Sequence, residues 1–317
     1  MKGENSRMPE ASIPSPTVSY FKLGPLTIHF YALTMLCAIV FAVLILSRRW
    51  KRWGGTFDQV LDFTLAAVPC GLVAARIYNC LTVPWDYFPP TGSPINIFKV
   101  WNGGMAIFGS LMGGAVGIAL VGRHKKIPAL LLADAVSPAL LVAQAFGRLG
   151  NWFNQELYGL PTTWPIGLKL NGANAIGKFE TCYTDLPCPD PQTHLFQPTF
   201  LYSIILCLSG AILLAIFGNH FQKKLKSGQI FCLYLMYYGV GRAVIEEIRI
   251  NSSIYFLGLR INTWAAIICA LLGIGLFIYL SKRGKSRKEA LEILSIATER
   301  EKEREKEDRD RKKKIGV

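Results

Sequence analysis

The chain has 317 residues, is 51% hydrophobic and 12% aromatic, and carries 35 Lys and Arg against 21 Asp and Glu, a net charge of +14. Its apolar residues fall in long blocks, which excludes an ordinary soluble core and points to a polytopic membrane protein. The basic residues cluster beside those blocks, as in cytoplasmic loops, so nucleic acid is not an expected partner.

Apolar runs occupy residues 26–47, 57–80, 105–122, 128–148, 198–218, 229–248 and 261–281. Each is near the roughly 20 residues that a helix needs to cross the hydrocarbon, which predicts an all-α protein of seven transmembrane helices. Arg48, Arg49, Lys51 and Arg52 follow the first run, Arg123, Lys125 and Lys126 the third, and Lys223, Lys224 and Lys226 the fifth. With those loops cytoplasmic, the amino terminus is outside and the carboxyl terminus inside. The loop at about 149–197 then forms a small extracytoplasmic head, with Trp152, Pro161, Trp164 and Pro165 suited to the interface. Residues 1–281 are expected to form the transmembrane domain, and 282–317 a charged cytoplasmic tail, solvated as a helix or disordered. Lys282, Arg283, Lys285, Arg287 and Lys288 of that tail are expected to touch anionic headgroups. No cleavable signal peptide is expected, because the polar start lacks a basic segment followed by an apolar core. Cys182 and Cys188 share the head loop and can form a local disulfide if it faces an oxidising compartment; the other six of the eight cysteines lie in or beside apolar runs.

The polar residues near these runs carry the functional information. Residues 147–159 read Gly-Arg-Leu-Gly-Asn-Trp-Phe-Asn-Gln-Glu-Leu-Tyr-Gly. They put Arg148, Asn151, Asn154 and Glu156 directly after an apolar run, where polar groups are costly unless paired or working. The sixth run aligns Tyr238, Arg242, Glu246 and Arg249 on one helical face. An Arg242–Glu246 pair gains only about 0.3–0.5 kcal/mol on an exposed helix. Inserting each charge near the bilayer centre costs about 3 kcal/mol, so the stripe is expected to line a cavity for a charged ligand. Arg76, at the outer end of the second run, either snorkels or binds a lipid phosphate. His29 and Tyr31 open the first run, where an interfacial aromatic belt is the simplest reading. Gly103, Gly104, Gly109, Gly113 and Gly114 suit close helix packing, and Asp134 and Pro138 mark the fourth run.

The 147–159 stretch resembles, over its whole length, the most specific motif of the prolipoprotein diacylglyceryl transferases of bacterial membranes. Ile28-His29-Phe30-Tyr31, Ala75-Arg76-Ile77-Tyr78, Trp101-Asn102-Gly103-Gly104, Pro198-Thr199-Phe200-Leu201-Tyr202 and the segment from Tyr238-Gly239 through Arg242 to Glu246 extend the resemblance across roughly residues 20–280. It implies a multi-pass enzyme of the bacterial plasma or inner membrane. The activity would be transfer of the diacylglyceryl group of phosphatidylglycerol to the lipobox cysteine thiol of a preprolipoprotein signal peptide, releasing glycerol phosphate. Arg148 and Arg242 would hold the phosphate, because a guanidinium stays charged and binds it through paired donors. Arg249 and Arg76 would assist. By motif position Asn151, Asn154 and Gly159 would contact the headgroup, Tyr31 and Tyr238 would orient lipid or thiol, and Glu246 would hold Arg242. No metal or dissociable cofactor is implied.

Four positions depart from the pattern. Phe108, Gln197 and Asn79 stand where many members have histidine, and Ser203 stands where Glu is common. The proton acceptor for the thiol is therefore open between His29, Tyr31 and Glu246, unless the cationic site itself lowers the thiol pKa. A transporter of an anionic lipid or solute and an inactive lipoprotein-binding paralogue are the alternatives.

Overall fold

The computed structural model describes residues 12–99, 104, 106–170, 195–221, 224–251 and 253–315. Trp101, Asn102, Gly103, Cys182, Cys188, Lys223 and the side chain of Phe108 lie outside the described residues. The helices are α1 (Phe30–Arg52), α2 (Phe57–Thr82), α3 (Ile107–Lys125), α4 (Ala129–Phe153), α5 (Thr199–His220), α6 (Gln229–Glu247), α7 (Ile261–Arg283) and α8 (Arg287–Ile315). Among the described residues, five of them (α1, α2, α4, α5 and α7) are long and apolar enough to cross a membrane. Helices α3 and α6 are 19 residues each, and α6 carries Arg242, Glu246 and Glu247. Leu72, Val73, Ile205, Ile212, Val240, Val244 and Leu271 are exposed, an apolar exterior suited to lipid chains.

The chain divides into two compact units, one holding residues up to Ile45 with Val136–Gly284, the other Leu46–Ala135 with the chain from Lys285 onward. In the first unit, β2 (Tyr20–Leu23) pairs antiparallel with β3 (Leu26–His29). This corrects the expectation that the first helix begins at residue 26. Gly24, at φ +60°, turns the chain so that residues 26–29 find ladder partners, and the helix starts only at Phe30. A small sheet joins β1 (Ile13–Pro14), β5 (Leu168–Lys169), β6 (Leu195–Phe196) and β4 (Pro161–Thr162), in that order. Its apolar face joins Tyr158, Leu168, Leu170, Phe196 and Ile250 in one buried cluster. A second cluster, of Leu141, Ala145, Cys207, Ala211, Leu214, Ile230 and Tyr234, holds α4, α5 and α6 together. A short hairpin, β7 (Tyr255–Phe256) with β8 (Leu259–Arg260), delivers the chain into α7.

In the second unit, α2 and α3 meet along glycines. A Cβ at Gly113 would stand 2.2 Å from the Cys70 carbonyl oxygen, and one at Gly109 would stand 2.4 Å from that of Ala74. No side chain fits there without separating the helices. We expect Gly113→Val to destabilise the protein by about 1–3 kcal/mol, as overpacking does. A lowered melting midpoint in detergent checks this, and an unchanged midpoint contradicts it.

The charged tail forms α8, whose first half packs with Ala290, Leu294 and Ala297 buried. The fully buried Gln59 accepts from Trp50 Nε1 (2.8 Å) and donates to Thr298 Oγ1 (3.1 Å) and Glu301 Oε2 (2.8 Å). Lys125 pairs with both Asp62 and Glu301, and the Arg287 guanidinium lies 4.2 Å from the centre of the Trp53 ring.

Candidate functional site: a buried arginine–carboxylate cluster

The stretch 147–159 begins as the last turns of α4 and leaves the helix at Asn154. Gly150 sits where a Cβ would be 2.6 Å from Tyr31 Cδ2 and 2.7 Å from Thr34 Oγ1. This close approach brings the first turn of α1 against the motif, and Tyr31 feels the charges of Glu156 and Arg148. Beyond the helix, Gln155 and Leu157 take left-handed φ values of 50° and 59°, uncommon without glycine. Gln155 is held there by its amide donating to Pro16 O (3.0 Å), and Leu157 by Thr199 Oγ1 donating to its carbonyl. The turn aims Glu156 back at the helix end, where its Oε1 accepts from Asn151 (2.9 Å) and Asn154 (3.2 Å). Arg148 Nη1 in turn donates to Asn151 Oδ1 (3.1 Å).

The motif then folds onto the end of α6. Gly159 N donates to Gln197 O, Leu160 N to Ile248 O (both 2.9 Å), and Ile250 N to Tyr158 O (3.3 Å). A Cβ at Gly159 would meet Gln197 Cβ at 2.8 Å and Ile248 O at 2.9 Å, so two chain segments can lie side by side only because this residue is glycine. Burial pushes the Tyr158 hydroxyl up to about 12, so it stays neutral at physiological pH.

Glu246 is the centre of the cluster and is fully buried. Its Oε2 is shared by Arg242 (2.7 Å) and Arg249 (3.3 Å), while its Oε1 accepts from Asn262 Nδ2 (2.9 Å) and faces Arg260 Nε at 3.7 Å. Arg260 also donates to the carbonyls of Arg249 and Asn251. The charge of Arg148 is felt at both Arg242 and Arg249. Burial, then the like charges of Arg242 and Arg148, push Arg249 down to about 9, which still leaves it protonated at neutral pH. Three guanidiniums thus face Glu246, while Arg148 and Glu156 are joined through Asn151. Arg242 Nη1 and Arg249 Nε are buried and have no hydrogen-bond partner among the described residues. Excess buried positive charge with unsatisfied donors is an arrangement that accepts an anion.

The expected residues Arg148, Asn151, Asn154, Gly159, Tyr31, Tyr238, Arg242, Glu246 and Arg249 therefore share one unit and one electrostatic neighbourhood. Arg76 belongs to the other unit and has a local task. Its guanidinium donates to the carbonyls of Asn96, Ile97 (2.9 Å), Lys99 (3.2 Å) and Gly104 (3.0 Å) and stacks over Tyr87 at 4.9 Å, which orders the loop after α2. Asn79 accepts from Tyr87 in the same loop at 2.5 Å. His29 lies on the exposed β3 strand, its ring 5.6 Å from that of Tyr20. Sequence reasoning singled out Glu156 with the motif but gave it no role, and it missed Arg260 and Asn262 as members of the cluster. Arg260 carried a signal, since it stands directly before the apolar run at 261–281, at the edge of a loop that holds only one other basic residue, Arg249.

These features define a class: an α-helical protein with several membrane-length helices and an arginine-rich polar interior. Residues 18–279 match the family model described as prolipoprotein diacylglyceryl transferase. The phosphatidylglycerol–prolipoprotein diacylglyceryl transferase of Bifidobacterium longum is 57% identical over 288 residues, covering 91% of each chain. The enzyme of that name from Paenarthrobacter aurescens is 40% identical over 290 residues (91% of this chain, 90% of the relative). A Streptomyces coelicolor relative, numbered 2 under the same name, is 38% identical over 273 residues (86% and 82%). The chain belongs to the prolipoprotein diacylglyceryl transferase family.

Proposed function

We propose that this protein transfers the diacylglyceryl group of phosphatidylglycerol to the lipobox cysteine thiol of preprolipoproteins, the first step of lipoprotein maturation. The observation that carries the chemistry is the excess of guanidinium over carboxylate around Glu246 and Glu156. The thiolate sulfur bonds to the glycerol carbon, the bond from that carbon to the phosphate oxygen breaks, and the electron pair stays on the departing glycerol phosphate. Negative charge therefore grows on the phosphate, and donors fixed in a dry site stabilise it most in the transition state. Arg148 and Arg242 hold the phosphate, with Arg249 behind them. Asn151 and Asn154 position the headgroup, Gly159 lets the motif close over it, and Tyr31 and Tyr238 orient the reacting groups.

Both Glu246 oxygens are engaged, by Arg242, Arg249, Arg260 and Asn262, which suits it to fixing Arg242 more than to taking a proton. The thiol is activated by the cationic field, which favours the thiolate, with Tyr31 at its edge. The reaction takes all its atoms from its two substrates and calls for no metal or dissociable cofactor.

The enzyme spans the bacterial plasma membrane seven times, with the amino terminus and head outside and the carboxyl terminus in the cytoplasm. Supporting this orientation, Lys125 and the tail residue Glu301 pair, and Arg287 stacks on Trp53, so two basic loops and the tail share one end of their unit. Membranes containing the folded protein are expected to convert a lipobox peptide to its diacylglyceryl form when phosphatidylglycerol is supplied. Absence of product would overturn the reading, and peptide binding without product would mark an inactive paralogue.

A further inference from the structure

Four residues before Arg148 on α4, and eight before Arg242 on α6, a polar contact crosses between these two helices. Gln144 Nε2 lies 2.9 Å from Tyr234 Oη. Gln144 and Arg148 share one helical face, as do Tyr234, Tyr238 and Arg242, so α4 and α6 face each other through two rungs. The upper rung is charged and the lower is neutral, with Tyr238 stacked on Tyr234 between them at 6.0 Å. Gln144 stands about 6 Å nearer the middle of α4 than Arg148, at 1.5 Å per residue. The wall around the lower rung is apolar: Leu141, Ala145 and Ile230 are buried in the same cluster as Tyr234.

A hydrogen count shows what this rung lacks. The amide carries two N–H donors and the phenol one O–H, and their mutual bond uses one of the three. With the amide reversed, the phenol donates to Oε1 and both N–H groups are spare. As placed, one N–H and the O–H are spare, and the buried Oε1 has no partner among the described residues. Either assignment leaves two donor hydrogens without a partner among the described residues.

We propose that Gln144 and Tyr234 bind the ester carbonyls of the diacylglyceryl donor, a specificity role that rests on the transferase reading above. The chemistry fits the depth. In a phospholipid whose phosphate is held at Arg148 and Arg242, the glycerol esters lie a few bonds further toward the acyl chains. They offer acceptors and no donors, and the rung has donors to spare.

The test compares phosphatidylglycerol with its dialkyl ether analogue, which keeps the headgroup and chains but has no carbonyls. The wild-type protein is expected to favour the diester about tenfold in kcat/KM, equivalent to about 1.4 kcal/mol, roughly one hydrogen bond. In Gln144→Leu and Tyr234→Phe this preference is expected to shrink toward one, through loss on the diester alone, with KM for the peptide unchanged. Equal use of both lipids by the wild type, equal loss on both in the variants, or a raised peptide KM would each overturn the assignment, the last in favour of a peptide contact. Diester and ether binding, measured by native mass spectrometry, needs no turnover. It reads the same ratio if no donor yields product, an outcome that would count against the transferase reading alone.

Discussion

Arg242→Ala and Arg148→Ala are each expected to lower diacylglyceryl transfer by about 10²–10³-fold or more, the scale lost when one charge-stabilising donor leaves a preorganised site. Arg242 is the stronger case. Its guanidinium is held by Glu246 at 2.7 Å, with Nη1 left unpartnered and buried among the described residues. The arginine is therefore aimed before substrate arrives, and little reorganisation is needed as charge grows on the phosphate. Lysine is a poor substitute, because a point charge on a flexible stem cannot reproduce the planar fork. Steady-state kinetics on folded variants decide this: the loss should appear in kcat/KM for the lipid, and full activity in either alanine variant would remove the phosphate-clamp assignment.

The second large effect is on stability. Glu246→Ala should destabilise the protein by about 3–5 kcal/mol, because it leaves Arg242, Arg249 and Arg260 clustered without the carboxylate they share. Glu246→Gln keeps the shape and one acceptor but loses the charge, so it should fall between wild type and alanine. Added inorganic phosphate should raise the melting midpoint of the alanine variant more than that of the wild type, since an anion that occupies the site replaces part of the missing charge. Thermal unfolding in detergent reads both effects, and an alanine variant that melts with the wild type would show that the arginines are not held in place by Glu246.

Several elements of this arrangement were legible in the chain itself. The 147–159 motif and the α6 stripe depend on local spacing, and the Arg242–Glu246 pair follows from one helical turn. The glycines of α3 announced close packing, and their partners proved to be carbonyls of α2. Residues 26–29 misled because a short apolar run has no period long enough to separate strand from helix, and Gly24 decided the matter. Ala290, Leu294 and Ala297 are spaced as one helical face, yet the charge around them reads as a solvated tail. Gln59, to which Thr298 and Glu301 of that tail are bonded, is more than two hundred residues away in sequence.

By itself, then, the sequence determined that the chain is built from membrane-length apolar helices, which family it resembles, and which arginines could meet a phosphate. All of these follow from composition, short-range period and motif. Only the tertiary structure decided that Glu246 serves three arginines, that Asn262 completes its shell, that Arg76 is engaged by the loop after α2, and that Gln144 meets Tyr234. Those partners come together through the β7–β8 turn, the loop after α2 and the α4–α6 packing. A charge or an amide does not carry in its local sequence the identity of the group that folding brings to it.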